Sequence, residues 1–229
     1  MDLTYSSTTL QSLETNVTNS SSGLSNKLLA NSTLLNNTSN SLGLYNDPIE
    51  YGDPLTDANY WRQQEGDMSC AVVAQICVYE SLTGEHIPES DAANYASQQG
   101  WFDPTSGTPL EYTSNILEVF GINTVQSNNA SLDTLENALS MGDKPIVGLD
   151  GNEIWNPQYD QYGNSLEQEN AGHAVWVTGI NYQSNGSVDI ILNDSGTPNG
   201  SSSVVDYYDF MNAWSDFDNF VAIADNPFV

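Results

Sequence analysis

A chain with only two cysteines and two histidines has few ways to assemble a nucleophilic site. Cys70 follows Ser69 and opens the run CAVVAQICVYESLTG. That run predicts a buried helix, with Ser69 as its N-cap and Gly84 as its stop. The first turn of a helix presents free N–H groups and a partial positive charge, and both favour thiolate over thiol. Taken alone, such a cysteine also fits a buried structural thiol. Cys77 stands two turns further along, has no such help and reads as a core residue. Seven residues of helix separate the two Cα atoms by about 10 Å. A disulfide tolerates less than about 7 Å, so both thiols are expected to be free.

A thiolate nucleophile needs a base. His86, in GEHIP, follows the far end of the Cys70 helix, roughly 20 Å from its start. His173, after Ala171-Gly172, opens an apolar β-rich run and is the only other histidine. A base histidine is held in one tautomer by an acceptor at its second nitrogen. Asp194 and Asn193 both lie at the end of the run that should pair with the His173 strand through the Asn185-Gly186 turn. Strand alternation lets only one of the two face His173. An oxyanion needs donors. The Cys70 N–H is one, and Gln64, six residues earlier, or its neighbour Gln63 could supply another.

The elements that must position these residues read as helices first and strands second. A second helix is expected over about 90–98, begun by Ser90 and Asp91. TPLEYTSNILEVFGI reads as a third helix, ended by Gly121, and SLDTLENALSMGD as a fourth. KPIVGL, HAVWVTGINY and SVDIILND read as strands, with SSVVDYY and NFVAIAD as two more. The Tyr51–Pro54 stretch reads as a turn leading into the domain. This order predicts an α+β fold, with an N-terminal helical part packed on a C-terminal antiparallel sheet. The expected domain spans 46–229. Residues 1–45, rich in Ser, Thr, Asn and Leu, are expected to be a disordered tail or a pro- or export segment.

Composition narrows the partners. Thirty acidic residues face three basic ones, Lys27, Arg62 and Lys144, for a formal charge of -27. Phosphate binding needs clusters of Lys and Arg, so nucleic acid is excluded as a partner and an anionic membrane disfavoured. Cationic peptides and divalent ions remain compatible. The first thirty residues lack a basic start and an apolar core of the secretory kind, and no run approaches the roughly 18 apolar residues of a membrane helix. A secreted or cell-surface protein using a non-classical route, or a cytoplasmic one, is expected, with no membrane insertion. Neither LDGNEIWN nor NDSGTPNG has the spacing of a calcium loop, and the two Cys and two His are not in zinc-finger spacing. No metal or cofactor is expected, and the oligomeric state is open.

The order Gln, Cys at a helix start, His at a strand start and Asp or Asn closing the next strand resembles the papain-like cysteine peptidases. Within them it most resembles the bacterial bacteriocin-processing, double-glycine peptidase-like family, through WRQQEGDMSCAVVAQ, GHAVWVTGI and VDIILNDSG. GTPLEYTSNILEVFGI and SLDTLENALSMGDKPIVGLDG fit that family's plan between them, so the similarity covers roughly 60–205. The resemblance implies a papain-like fold and a thiol protease in which Cys70 attacks a peptide carbonyl. His173 would move the proton, Asp194 orient His173, and Gln64 with the Cys70 N–H hold the oxyanion. Ala71 replaces the family's usual Gly after the cysteine, and Ser195 its frequent Pro after the aspartate. No exporter domain is expected to follow, so leader trimming coupled to transport is not the expected role. The 151–172 loop precedes His173, and from that position Trp155 and Tyr159 are expected to contact substrate. A related acyltransferase or amidase would use the same triad, and a non-catalytic acidic interaction module on the same fold is the remaining alternative.

Overall fold

The computed structural model describes residues 51–227. The expected disordered or pro- or export segment, 1–45, lies outside them. Helix α2 spans Cys70–Thr83, after a first short turn of helix α1 at Pro54–Asp57. Every residue of α2 from Ala71 to Tyr79 is buried. It stops where Gly84 adopts φ 75° and returns its N–H to the Glu80 carbonyl, a left-handed cap that costs glycine little. Helix α3 follows at Glu89–Gln99.

The third expected helix is broken. A 3-10 turn at Leu110–Tyr112 precedes a short α4 at Asn115–Val119. The cause is the buried side chain of Gln75 on α2. Its Oε1 accepts the Ile116 N–H at 2.9 Å, and its Nε2 faces the Tyr112 carbonyl at 3.5 Å. Those are the two backbone groups a continuous helix would join to each other. Gln75 therefore replaces one rung of the ladder and pins the segment to α2.

Strands β1 (Tyr51–Gly52), β2 (Thr124–Ser127), β3 (Lys144–Asp150), β4 (Gly172–Tyr182), β5 (Val188–Asn193), β6 (Ser203–Asp206) and β7 (Val221–Ala224) form an antiparallel sheet in the order β2-β7-β3-β4-β5-β6. β1 adds to β4 beyond the end of β3. Tyr51 thus starts a strand rather than a turn. Besides α1, two helices lie outside the expected set, α6 at Gly151–Trp155 and α7 at Tyr207–Ser215, with α5 at Leu132–Ser140 between β2 and β3. SSVVDYY splits because the Asp206 carboxylate accepts the Tyr208 N–H at 2.8 Å and starts α7, so its two tyrosines are helical.

Both faces of the sheet are covered. Ile146, Ala174 and Trp176 pack against α2 and its neighbours. Val147, Leu149, Val175 and Val177 pack against Leu135, Leu139, Phe210 and Trp214 of α5 and α7. Burial on both faces accounts for the near-continuous apolar runs of β3 and β4. The central strands and the N-terminus of α2 are thereby fixed relative to one another, and the candidate site lies where they meet. Among the described residues no helix is long and apolar enough to cross a membrane.

Candidate active site

The start of α2 is set by the loop before it. Ser69 stands at the N-cap position, but its side chain does not cap the helix. Its hydroxyl donates instead to the Gly66 carbonyl and to Glu89 Oε1, at 2.8 and 2.5 Å. The same buried Glu89 carboxylate accepts the N–H groups of Glu65 and Gly66 at 2.8 and 3.0 Å. One acidic side chain from α3 thus gathers three donors and fixes the turn that presents Cys70. Both cysteines are free, Cys70 half-buried and Cys77 buried.

His173 stands beside the Cys70 thiol, near enough for each to shift the other's ionisation, and His173 Nε2 lies 2.7 Å from Asp194 Oδ1. With Nε2 engaged by the carboxylate, Nδ1 is the nitrogen left for the thiol. Of the two acceptors at the end of β5, Asp194 meets the histidine. Asn193 turns away, donating to the Asp57 carbonyl at 2.8 Å and accepting the Ser202 N–H at 3.1 Å. His86 lies at the other end of α2, exposed, 3.2 Å from Glu80.

These contacts set the protonation states. Burial opposes ionisation of Cys70. The hydrogen bond and charge of His173, with the N–H groups of Ala174 and Ala71, outweigh it and hold the thiol below its ordinary value. Burial likewise opposes the imidazolium, yet Asp194 and Cys70 raise His173 from 6.5 to about 9. Asp194 stays below the ordinary carboxylate value despite its burial, through His173, Trp155 and the Gly196 N–H. Cys77 goes the other way, and burial pushes it up to about 11. The arrangement can therefore hold a thiolate beside an imidazolium, the combination a nucleophilic cysteine requires.

Trp155 closes one side of this chain. Its Nε1–H donates to Asp194 Oδ2 at 2.7 Å, and its ring packs on His173 with centroids 4.9 Å apart. Gly196 makes that packing possible, because a Cβ there would lie 2.7 Å from the Trp155 ring and 2.9 Å from His173 Cε1. Asp194 is held from behind by Trp61, whose Nε1–H donates to its carbonyl at 2.7 Å. Gln64 is tied to the same loop, its N–H bonding the Ser195 carbonyl and its Oε1 accepting the Ser195 hydroxyl. Its Nε2 donates to the carbonyls of Gly66 and Asp67, at 2.8 and 3.2 Å.

A cleft of about 800 Å³ is lined by Cys70, His173, Gln63, Gln64 and Trp155, among others. Tyr159 is not among its lining residues. Its hydroxyl donates to Asp209 of α7 at 2.6 Å, and Ser165 Oγ joins the same carboxylate. The middle of the 151–172 loop is thus anchored on α7, and only its two ends, Trp155 and Asn170–Gly172, reach the cleft. Glu89, Trp61 and Gln75 were not singled out from the sequence. Each acts on a segment 20 or more positions away, and no local pattern marks such a partner.

Among the described residues, Asp150, Glu153 and Asp216 are close enough to share an ion. Their carboxylates already accept hydrogen bonds from Ala171, Gln168 and Asn212, with Asn170 beside Asp150 and Asp216.

No family model matches the chain. It is 28% identical over 198 residues to uncharacterized proteins of Mycobacterium bovis and Mycobacterium tuberculosis, covering 76% of this chain and 83% of theirs. Among solved structures it is similar to a candidate C39-like peptidase from Bacillus anthracis, with a TM-score of 0.50 and 11% identity, over 73% of this chain and 94% of that one. The fold is the α+β fold of papain-like peptidases, with the mixed helical part and antiparallel sheet described above.

Proposed function

We propose that the protein is a cysteine peptidase that cleaves peptide bonds through a Cys70–His173–Asp194 triad and a thioester intermediate. What carries the reading is the placing of Cys70 and His173 in one wall of a cleft large enough for a peptide segment, with His173 Nε2 2.7 Å from Asp194 Oδ1. The Cys70 thiolate adds to the substrate carbonyl carbon, and the carbonyl π electrons move to oxygen. The Cys70 N–H and the Gln64 amide stabilise that oxyanion, Gln64 by exchanging its longer contact, with the Asp67 carbonyl, for the substrate oxygen. His173 gives its proton to the amine as the C–N bond breaks, leaving a thioester. It then takes a proton from water, which attacks the thioester and releases acid and thiolate. Asp194 holds the imidazole in register and stabilises its charged form.

Peptides without acidic residues near the scissile bond are the expected substrates. The charged side chains on the cleft wall other than His173 are Glu65 and Asp67. Both described basic residues, Arg62 and Lys144, are engaged in ion pairs. Digestion of a peptide pool, followed by mass spectrometry, tests the proposal. Wild-type protein should yield cleavage products that Cys70→Ala does not, and an added amine should leave them as free acids. Identical product sets would refute the peptidase reading, and products carrying the amine would replace it with acyl transfer.

A further inference from the structure

Ser195 follows Asp194 and is buried. It is not among the residues that line the cleft, so any effect it has on substrate passes through another residue. Its hydroxyl donates to Gln64 Oε1 at 3.0 Å, across 131 positions of sequence. Its carbonyl accepts the Gln64 N–H at 2.9 Å. One serine thus holds both the backbone and the side chain of Gln64.

The serine is itself fixed by its neighbours. The Asp194 N–H bonds the Gly200 carbonyl at 2.8 Å, and the Asp194 carbonyl accepts the Trp61 indole N–H at 2.7 Å. The Gly196 N–H donates to Asp194 Oδ1 at 2.7 Å. A side-chain amide has two ends of nearly equal size, and its hydrogen-bond partners decide which end points where. The carbonyls of Gly66 and Asp67 take the NH₂ end of Gln64, and the Ser195 hydroxyl takes the oxygen end. Once the Asp67 contact is exchanged for a substrate oxygen, the Gly66 carbonyl and the Ser195 hydroxyl remain to hold the amide. The orientation of Gln64 therefore leans on Ser195 most in the step where charge develops. Donation to Oε1 also polarises the amide and strengthens its N–H groups as donors.

We propose that Ser195 is a positioning residue that holds the Gln64 amide with its NH₂ end toward the oxyanion. The proposal rests on the peptidase reading and on the part Gln64 plays in it. A donor aimed at developing charge stabilises it only if its own orientation is locked by the residues behind it. Asp194 and Ser195 are consecutive, so one turn carries both the carboxylate that orients His173 and the hydroxyl that orients Gln64.

The test is a double-mutant cycle, read by kinetics on a fluorogenic peptide built on a sequence the wild type cleaves. Removing an oxyanion donor outright costs about 10²–10³ in kcat. Ser195→Ala, which only frees the donor, should cost part of that, about tenfold in kcat with KM within about twofold. The pH dependence of Cys70 labelling by iodoacetamide should match the wild type, because Gln64 takes no part in the thiolate–imidazolium pair. In a Gln64→Ala background, Ser195→Ala should change kcat by less than about twofold, whereas a merely structural role would lower it equally in both backgrounds. Should Ser195→Ala not fold, Ser195→Cys fills the same space with a weaker donor and carries the same comparison with a smaller loss. The proposal is overturned by a wild-type kcat in Ser195→Ala, by equal losses in the two backgrounds, or by a shifted labelling profile, which would place the effect at Asp194. Any of these, with Cys70-dependent cleavage intact, removes the role of Ser195 and leaves the peptidase reading standing. Absence of any Cys70-dependent cleavage removes both.

Discussion

Each ionisable group in the Cys70–His173–Asp194 chain titrates against the other two. His173 is raised to about 9 from 6.5, so its pairing stabilises the fold fully below about 6.5 and is lost as pH rises through about 9. Cys70 and Asp194 are lowered, so each contributes above its ordinary value and loses that contribution as pH falls through its own depressed value. Activity should therefore be bell-shaped, with an acid limb from thiolate protonation and an alkaline limb near pH 9 from loss of the imidazolium. Trp155 acts within the same chain. Trp155→Phe keeps a ring against His173 but removes the N–H that helps hold Asp194 ionised. Losing a hydrogen bond to a charged group costs about 1.5–3 kcal/mol. A fall of at least about tenfold in kcat/KM is expected, with the carboxylate titrating at higher pH. A change within twofold and an unmoved pH profile would show that Trp155 only fills space.

At the scale of elements, the site depends on a loop that α3 organises through one carboxylate. Glu89→Ala leaves the N–H groups of Glu65 and Gly66 and the Ser69 hydroxyl without their acceptor. A loss of about 2 kcal/mol is expected from the urea midpoint, with partial recovery in Glu89→Gln, which keeps one carbonyl oxygen. An unchanged midpoint in Glu89→Ala would contradict this role. Glu89 shows what the sequence leaves illegible. The Cys70 helix, the His173 strand and the pairing through Asn185-Gly186 could be read because their signals are local: an apolar helical run, a glycine stop, a β-rich run. The two-residue strand β1 and the edge strand β2 could not, since long-range pairing alone defines them. The break in the third helix was hidden for a related reason, because Gln75, 41 positions from Ile116, supplies the competing acceptor. Tyr207 and Tyr208 favour strand by composition, and a single aspartate cap decides otherwise. The choice between Asn193 and Asp194 was open because it depends on where β5 ends.

Across the whole molecule, charge is the dominant asymmetry, at -27. Arg62 pairs with Glu80 and donates to the Ile87 carbonyl, and Lys144 pairs with Asp57 at 2.7 Å. Among the described residues both basic side chains are thus engaged in ion pairs. Asp57 shows how little the Lys144 pair gains, because burial raises its carboxyl to about 6 even with Lys144 beside it. The acidic surface therefore repels itself, and dissolved cations must screen it. Raising ionic strength from about 0.01 M to about 1 M shortens the screening length from roughly 30 Å to 3 Å. The melting temperature is expected to rise by at least about 3 °C, the effect of roughly 1 kcal/mol in a domain of this size. A flat salt dependence, unaltered by a chelator, would contradict that account.

The most direct test of the central claim is the pH dependence of iodoacetamide labelling, with mass spectrometry to separate Cys70 from Cys77. Cys70 should label rapidly well below the ordinary thiol value of about 8.5, Cys77 should stay inert, and His173→Ala should abolish the difference. A Cys70 that labels no faster than an ordinary thiol, or that is indifferent to His173, would mean that no thiolate–imidazolium pair exists and that the triad is not catalytic.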